Sequence, residues 1–533
     1  MQSKPLIEKP IYPLLFAIYP FLYLYAENSD IASLGDLLVT CTAAVLGTAL
    51  VFLIFAKLFH STAKGAVASA AAALLFCTHG YMYQGLMHYA WTSTSGDFVS
   101  RRLRALNFHF ELGLVELFVL LAILLLLRRT RSIPPVVPAF LNTVSSALII
   151  LAAINSFSVG ASDADQTDNL PAAESEQVSS QTTLPDIYYV ILDGYGRQDK
   201  LREHFGFDNS EFIDWLRSKG FFVANHSRPN FYWTYLSLSS SLNFEYITYL
   251  SERLGEKSRN RTIPYRMIKY NNLIKTLRRL GYRIYHLQST WGATMHNPAA
   301  DRNIPCSNAL FNNEFYRVAV EVTALSAFPH VVSFDLAQCH LNNFAHLAET
   351  ATEDGPKFIF AHFIPPHHPY LFDSSGNILR NATVSNQFEF QKLLWGDRNA
   401  YKEQISFVNK KVREAVEKIL QNSSTPPIIV LQSDHGPTLL QETDAVADDT
   451  RLANFTAVLS PGAPNLIPDN ITPVNIFRLI LRHYFGLALE PLPNRHYKSG
   501  YHSPFAFEEE FFPTQSGPET LSQASAGNSA GNL

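Results

Sequence analysis

Two apolar runs in this chain end in groups that can hold a cation. Tyr188-Tyr189-Val190-Ile191-Leu192 leads into Asp193-Gly194, and Ile428-Ile429-Val430-Leu431-Gln432 leads into Ser433-Asp434-His435-Gly436. A third block, Trp233-Thr234-Tyr235-Leu236-Ser237-Leu238-Ser239-Ser240-Ser241, offers hydroxyls. Continuous apolar runs read as strands buried on both faces, and ligands of open α/β sheets bind just beyond the strand carboxyl ends. Both aspartates stand there. Two carboxylates, one imidazole and one hydroxyl make a four-ligand N/O set suited to zinc, or to manganese with added water. Such an ion lowers the pKa of a coordinated hydroxyl and offsets charge on transferring oxygens, which phosphoryl or sulfuryl transfer requires.

Each fragment also has a plainer reading. Aspartate-glycine after a strand is a common turn, and the Thr234 to Ser241 hydroxyls could cap a helix.

Taken together and in this order, the blocks resemble the alkaline phosphatase superfamily, in its sulfatase-like branch of lipoteichoic acid synthases and phosphoethanolamine transferases. The resemblance runs from about Pro185 to Tyr501 and includes His367-His368-Pro369-Tyr370, similar to that family's His-x-Pro-Phe. It implies that Asp193, Asp434 and His435 bind one divalent metal, zinc or manganese. Thr234, selected over the neighbouring serines by the family register alone, would be the nucleophile and fourth ligand. His367 would meet the substrate phosphate. His362, read with His367 as flanking the turn after a strand Phe358 to Phe363, is a substrate-side candidate or a structural histidine. Arg451, in the region after the Asp434 strand, is a candidate phosphate contact or a solvated arginine.

Departures from the pattern narrow the chemistry. A formylglycine sulfatase needs Cys or Ser followed by x-Pro-x-Arg, and Ser227-Arg228-Pro229-Asn230-Phe231 lacks the final arginine. No second Asp-x-x-x-His set marks a two-zinc phosphatase, so one metal per site is expected.

The N-terminal third is a different material. Tyr12 to Ala26, Leu37 to Ala56, Gly65 to Leu86, Phe108 to Leu127 and Pro135 to Ile154 are apolar stretches, mostly near the roughly 20 residues a bilayer needs. The first is short and rich in Tyr and Phe, which suits the interface. Lys4, Lys9, Lys57, Lys64, Arg128, Arg129 and Arg131 fall on one side, against Arg101, Arg102 and Arg104 on the other. That bias predicts about five spans with the N-terminus inside and everything after Ile154 extracytoplasmic, periplasmic or extracellular. Glu111 and Glu116, in or near the fourth span, are expensive there and need a partner or a polar cavity. The three arginines beside them could hold a lipid phosphate or snorkel to the interface.

From Ser158 to Pro185 the chain is acidic, free of aromatics and of linker composition. A flexible stretch of about 30 residues spans roughly 30 Å, so the outer domain could rest on the membrane. Beyond it, helix and strand signals alternate. Asn209 or Ser210 caps Glu211 to Lys219, and Phe221 to Ala224 follows. Asn272 to Leu280 precedes Tyr282 to Leu287, and Asn399 to Leu420 leads into the Asp434 strand. Such alternation predicts an α/β domain with a mostly parallel sheet. The expected organisation is a transmembrane domain at 1–156, a flexible linker at 157–185, a sulfatase-like catalytic domain at 186–513 and a disordered tail at 514–533.

A net charge of −4 with no basic run gives no reason to expect nucleic acid. Cys306 and Cys339 fall outside, where a disulfide is allowed, and Cys41 and Cys77 fall in spans. The expected function is transfer of a phospho-head-group from a membrane lipid to an envelope glycan or lipid acceptor through a phosphothreonine. The alternatives are a phosphodiesterase or sulfuric-ester hydrolase on the same site, and a membrane scaffold with a vestigial site.

Overall fold

The computed structural model describes residues 9–28, 32–93, 98–163, 184–379, 395–439 and 444–512, apart from the side chains of 87–107, 155–163, 311, 329–332 and 334. Expectations for Lys4, for the Arg101, Arg102 and Arg104 side chains, for most of the linker and for the tail lie outside the described residues.

The chain opens with helices α1 (Tyr12–Glu27), α2 (Leu34–Phe59), α3 (Thr62–Ser93), α4 (Phe98–Arg129) and α5 (Val136–Asp163). Among the described residues, four segments are long and apolar enough to cross a membrane: Leu34–Phe59, Thr62–Leu86, Phe108–Arg129 and Val136–Ile154. The first expected stretch, read as short and suited to the interface, is α1, the shortest of the five, and it runs from the Asn142 end of the bundle to the Phe315 end. With 16 residues and a proline inside it, α1 is about 24 Å long at 1.5 Å per residue, less than the roughly 30 Å hydrocarbon core. Helix α5 continues to Asp163, into the stretch read as linker.

The helices alternate in direction, and hydrogen bonds mark both ends. At one end Lys64 Nζ donates to Thr130 O at 2.6 Å, and Asn142 of α5 accepts from Tyr12 N (2.9 Å) and donates to Lys9 O (2.9 Å). Lys9, Lys64 and the Arg128 to Arg131 turn therefore share one side. At the other end Asp36 of α2 accepts from Asn313 Nδ2 at 3.0 Å, and Gln84 of α3 donates to Glu321 at 3.3 Å. That side meets the α/β domain. Glu116 of α4 finds its partner in His79 of α3 at 2.8 Å, the neighbour that a carboxylate in a span requires.

The second part contains β1 (Ile187–Leu192), α6 (Gln198–Phe205), α7 (Ser210–Ser218), β2 (Phe222–Val223), α8 (Thr234–Asn243), α9 (Leu250–Leu254), α10 (Thr262–Lys269), α11 (Asn272–Arg279), β3 (Arg283–Leu287), α12 (Gly292–Met295) and β4 (Arg302–Ile304). There follow α13 (Glu314–Glu321), α14 (Pro329–Glu349), β5 (Lys357–Phe363), α15 (Arg398–Asn422), β6 (Ile428–Gln432), α16 (Asp444–Arg451), β7 (Thr456–Leu459), α17 (Pro473–Phe485) and the hairpin β8 (His496–Gly500) and β9 (Ser503–Glu510). Seven strands form one sheet in the order β2-β7-β6-β1-β5-β3-β4. From β6 to β4 it is parallel, and β7 and β2 extend it antiparallel.

The period-two geometry of a strand divides the apolar runs between two cores. Tyr188, Val190 and Leu192 of β1, with Ile429 and Leu431 of β6, face one cluster; Ile187, Tyr189 and Ile191, with Ile428 and Val430, face the other. Helices cover both faces, so every residue of β1 and β6 is buried. Under the domain edge, Lys357 Nζ meets Asp186 Oδ2 at 2.6 Å, both nearly sealed from solvent. Cys306 and Cys339 are joined as a disulfide.

Candidate metal centre

The site forms where three parallel strands end together. Leu192 of β1 pairs with Phe363 of β5, and Ile191 pairs with Gln432 of β6. The next residues, Asp193 and Ser433-Asp434-His435, are thereby brought side by side, with Asp193 N donating to Phe363 O at 2.9 Å. The chain turns at Gly194 with φ +66°, and a Cβ there would strike the Trp395 ring, so the turn demands glycine. Gly194 N–H donates to Asp434 Oδ1 at 3.1 Å, and Tyr401 OH donates to Gly194 O at 2.8 Å. Ser433 Oγ donates to Tyr195 O at 2.6 Å and accepts from Phe455 N at 2.9 Å. The two carboxylate turns are thus laced into one unit.

Asp193, Asp434 and His435 converge, each buried, with ligand atoms within 4.8 Å of one another. His435 Nε2 is 3.2 Å from Asp434 Oδ2 and 3.6 Å from Asp193 Oδ1. Its Nδ1 points at Gly436 O at 2.8 Å. A proton on Nδ1 satisfies that carbonyl and leaves the Nε2 lone pair facing the carboxylates, the tautomer a metal ligand needs. Asp193 Oδ1 and Asp434 Oδ2 are sealed from solvent without a hydrogen-bond partner. Buried unpartnered carboxylate oxygens are costly, and a divalent cation offsets that cost. The donor set fits such an ion. Burial, with Asp434 alongside, pushes the Asp193 carboxyl well above the usual carboxylate range. Burial, with Arg451 and His367 nearby, holds His435 well below its ordinary value and so neutral.

Thr234 is the first residue of α8, and its Oγ1 lies 3.1 Å from His435 Nε2. The positive end of α8 therefore opens onto the cluster. Thr234 and His367 are partly exposed while the three other groups are buried, so a ligand approaches from their side. The following serines are not caps. Ser237 Oγ donates to Asp434 O at 2.8 Å, and Ser239 Oγ donates to Pro264 O at 2.8 Å.

His367 N donates to Asp193 O at 3.0 Å, and its Nδ1 engages His368 O at 2.7 Å, leaving Nε2 for another contact. His362 stands on the strand side of the turn at Pro365-Pro366. It lies inside β5, on the face of Phe358 and Phe360, with Nδ1 on Thr294 Oγ1 at 2.8 Å and Nε2 3.4 Å from Asp193 Oδ2. Burial lowers its pKa to about 4.

Arg451 is the last residue of α16 and is 3% exposed, which overturns the solvated reading. Its Nε donates to Tyr232 O at 2.7 Å, it bonds Thr438 Oγ1, and its guanidinium lies 4.5 Å from the Trp233 ring. It is held against the Tyr232-Trp233 segment that leads into Thr234, as a fixed positive charge that attracts Asp434 and Asp193. Trp395 and His368 were not singled out in the sequence. His368 is buried with both ring nitrogens unpartnered, and Trp395 packs on both His367 and His368. Adjacency to His367 was the only available signal for His368, and Trp395 offered none.

A family model described as Sulfatase matches residues 185–505. No curated protein matches the chain. Among solved structures, the C-terminal periplasmic domain of EcEptC from Escherichia coli is 12% identical, covering 64% of this chain and 96% of that one with a TM-score of 0.43. The integral membrane lipooligosaccharide phosphoethanolamine transferase A of Neisseria meningitidis is 13% identical, covering 89% and 93% with a TM-score of 0.39. The phosphonate monoester hydrolase of Agrobacterium radiobacter is 13% identical, covering 59% and 75% with a TM-score of 0.39.

Proposed function

The chain belongs to the sulfatase family within the alkaline phosphatase superfamily, as a membrane sulfatase-like enzyme, and from that premise we propose that it transfers a phospho-head-group from a membrane lipid to an envelope glycan or lipid acceptor. The observation that carries the reading is the Thr234 hydroxyl, 3.1 Å from His435 Nε2 at the open side of an otherwise buried two-carboxylate cluster.

Asp193, Asp434, His435 and Thr234 would hold one divalent ion, zinc or manganese. When bound, it supplies Lewis-acid stabilisation of charge on oxygen and eases loss of the hydroxyl proton. Thr234 Oγ1 then attacks phosphorus, the bond from phosphorus to the lipid oxygen breaks, and the threonine proton ends on the leaving alcohol. His367 Nε2 holds a phosphoryl oxygen, and Arg451 steadies the accumulated negative charge from behind. The acceptor hydroxyl reverses the sequence at the phosphothreonine.

Sulfate-ester hydrolysis is disfavoured by the place of Ser227. Its Oγ is spent on Asn454 Oδ1 (2.9 Å) and Thr456 Oγ1 (2.8 Å) in a fully buried position, away from the role a formylglycine would take. The Cys306–Cys339 disulfide, the bonded pair in an α/β domain at one end of the bundle, supports an oxidising, extracytoplasmic side. Incubation of the full-length protein with lipid, acid quenching and mass spectrometry of the Thr234 peptide tests the reading. A phospho-head-group adduct on Thr234 is expected, and turnover without any adduct there refutes the mechanism.

A further inference from the structure

Between the bundle and the α/β domain lies a cavity of ≈570 Å³ whose walls belong to both. Three walls are α1, α2 and α3; the fourth is α13 with its flanking 3₁₀ turns, contributing Tyr316, Ala319, Val320 and Leu325. Small side chains on the facing helices, among them Ala44 and Ala73, make the room. A methyl group at Gly47 would meet nothing within 4 Å. On α2 the lining runs from Val39 to Val51, about 18 Å at 1.5 Å per residue, close to one leaflet of a roughly 30 Å hydrocarbon core. It starts at the end that meets the α/β domain, near Asp36.

The chemistry of the lining excludes a polar ligand. Most of its hydroxyls are already engaged: Thr40 donates to Asp36 O and Leu37 O, Ser69 to Ala66 O and Thr323 to Val320 O, and Tyr316 bonds the Asp36 carboxylate. A space this size without convergent polar groups does not hold ordered water, and its volume lies in the range of ligand pockets. The α/β domain also presents exposed apolar side chains next to α13: Leu310 (53%), Leu325 (47%) and Phe328 (61%). Such a surface suits contact with hydrocarbon rather than water.

We propose that this cavity binds one acyl chain of a phospholipid from the leaflet on the α/β-domain side. Resting on the lipid-donor reading above, it is the site that holds the donor beside the metal centre. The helix that closes it is also the helix that supports that centre. Glu314 accepts from Gly292 N at 2.6 Å and Arg317 donates to Thr290 O, which fixes the Thr290 to Thr294 segment. Trp291 and Thr294 of that segment contact His362, which stands against Asp193.

The test uses the full-length protein in nanodiscs containing phosphatidylglycerol with a mid-chain diazirine. After photolysis, labelled peptides should concentrate on the α2 and α3 linings and on Tyr316 to Leu325. Gly47→Leu and Ala73→Phe, each filling the space, should lower labelling there at least fivefold, with folding checked by thermal unfolding. Leu53→Phe, on the exposed face of α2, should not lower it. Label spread evenly over exposed faces, or unchanged by filling, overturns the proposal. Because labelling needs no turnover, an absent cavity label with an intact Thr234 adduct refutes this inference alone. The converse refutes the phosphotransfer reading alone.

Discussion

Replacing Asp434 by asparagine should reverse the stability order of the protein with and without metal. The ligand atoms of Asp193 and Asp434 lie within 4.8 Å, where two full charges repel by about 3.5 kcal/mol at an effective dielectric near 20. Burial already favours a proton on Asp193, so only part of that repulsion is felt and a gain of about 1–3 kcal/mol is expected. An asparagine keeps a carbonyl oxygen for the Gly194 N–H, so little is lost in exchange. At about 2–4 °C per kcal/mol, the metal-free variant should melt roughly 2–12 °C above the parent. With zinc at 100 times its Kd the parent gains about 2.7 kcal/mol, and the variant should gain almost nothing. The pH dependence carries the same signature. Asp193 titrates higher in the fold than its ordinary value near 3.9, so the metal-free folded state retains the extra proton. That stabilisation is complete below about pH 4 and disappears as pH rises through the elevated value. The chelated parent should lose Tm as pH rises above about 4, and Asp434→Asn should flatten the slope. Scanning calorimetry in detergent, in chelator and then in zinc or manganese, measures all of this. A variant less stable than its parent in chelator, yet shifted equally by metal, would refute the reasoning.

Thr234→Ala should lower both lipid turnover and cleavage of a chromogenic phosphodiester at least about a thousandfold, whereas Ser237→Ala should retain the Thr234 adduct and lose about 1 kcal/mol of stability with its bond to Asp434 O. Replacing Cys306 and Cys339 by serine opens a linkage of 33 residues, which by loop entropy should cost about 3–4 kcal/mol in chemical denaturation; an unchanged midpoint would show that the bridge is not formed in solution. A reporter active only outside the cytoplasm should be active when fused after Gly160 and silent after Arg131, and the opposite pattern would remove the envelope substrate.

How much was legible in the sequence depends on how local each signal is. The runs before Asp193 and Asp434 announced themselves because a strand buried on both faces must be apolar at every position, and helices such as Ser210–Ser218 and Asn272–Arg279 follow from periodicity, although only the second is capped by its asparagine side chain, Asn209 being turned to Tyr195 instead. The choice of Thr234 over Ser237 had no local basis; it came from family register, and the geometry puts the two hydroxyls on different partners. Arg451 was misjudged because its surroundings come from elsewhere in the chain: the carbonyl that fixes it belongs to Tyr232, 219 residues away. His362 was legible as the penultimate residue of its strand, but its partner was not, because Thr294 lies 68 residues away. The docking of α13 on the bundle left no trace in composition, because Asn313 and Asp36 are 277 residues apart.

That docking also bears on how such an enzyme can change over generations. Gly80 N–H donates to Val322 O at 3.2 Å, and any side chain at Gly80 would collide with the Glu321 and Val322 backbone. Phe315 and Ala319 share one packed cluster with Phe21, Leu24 and Cys77. The catalytic half is therefore tailored to this particular anchor. A gene fusion that grafted it onto another set of spans would inherit the reaction but lose the fitted seam, and would have to recut both surfaces before the chimera became a stable enzyme.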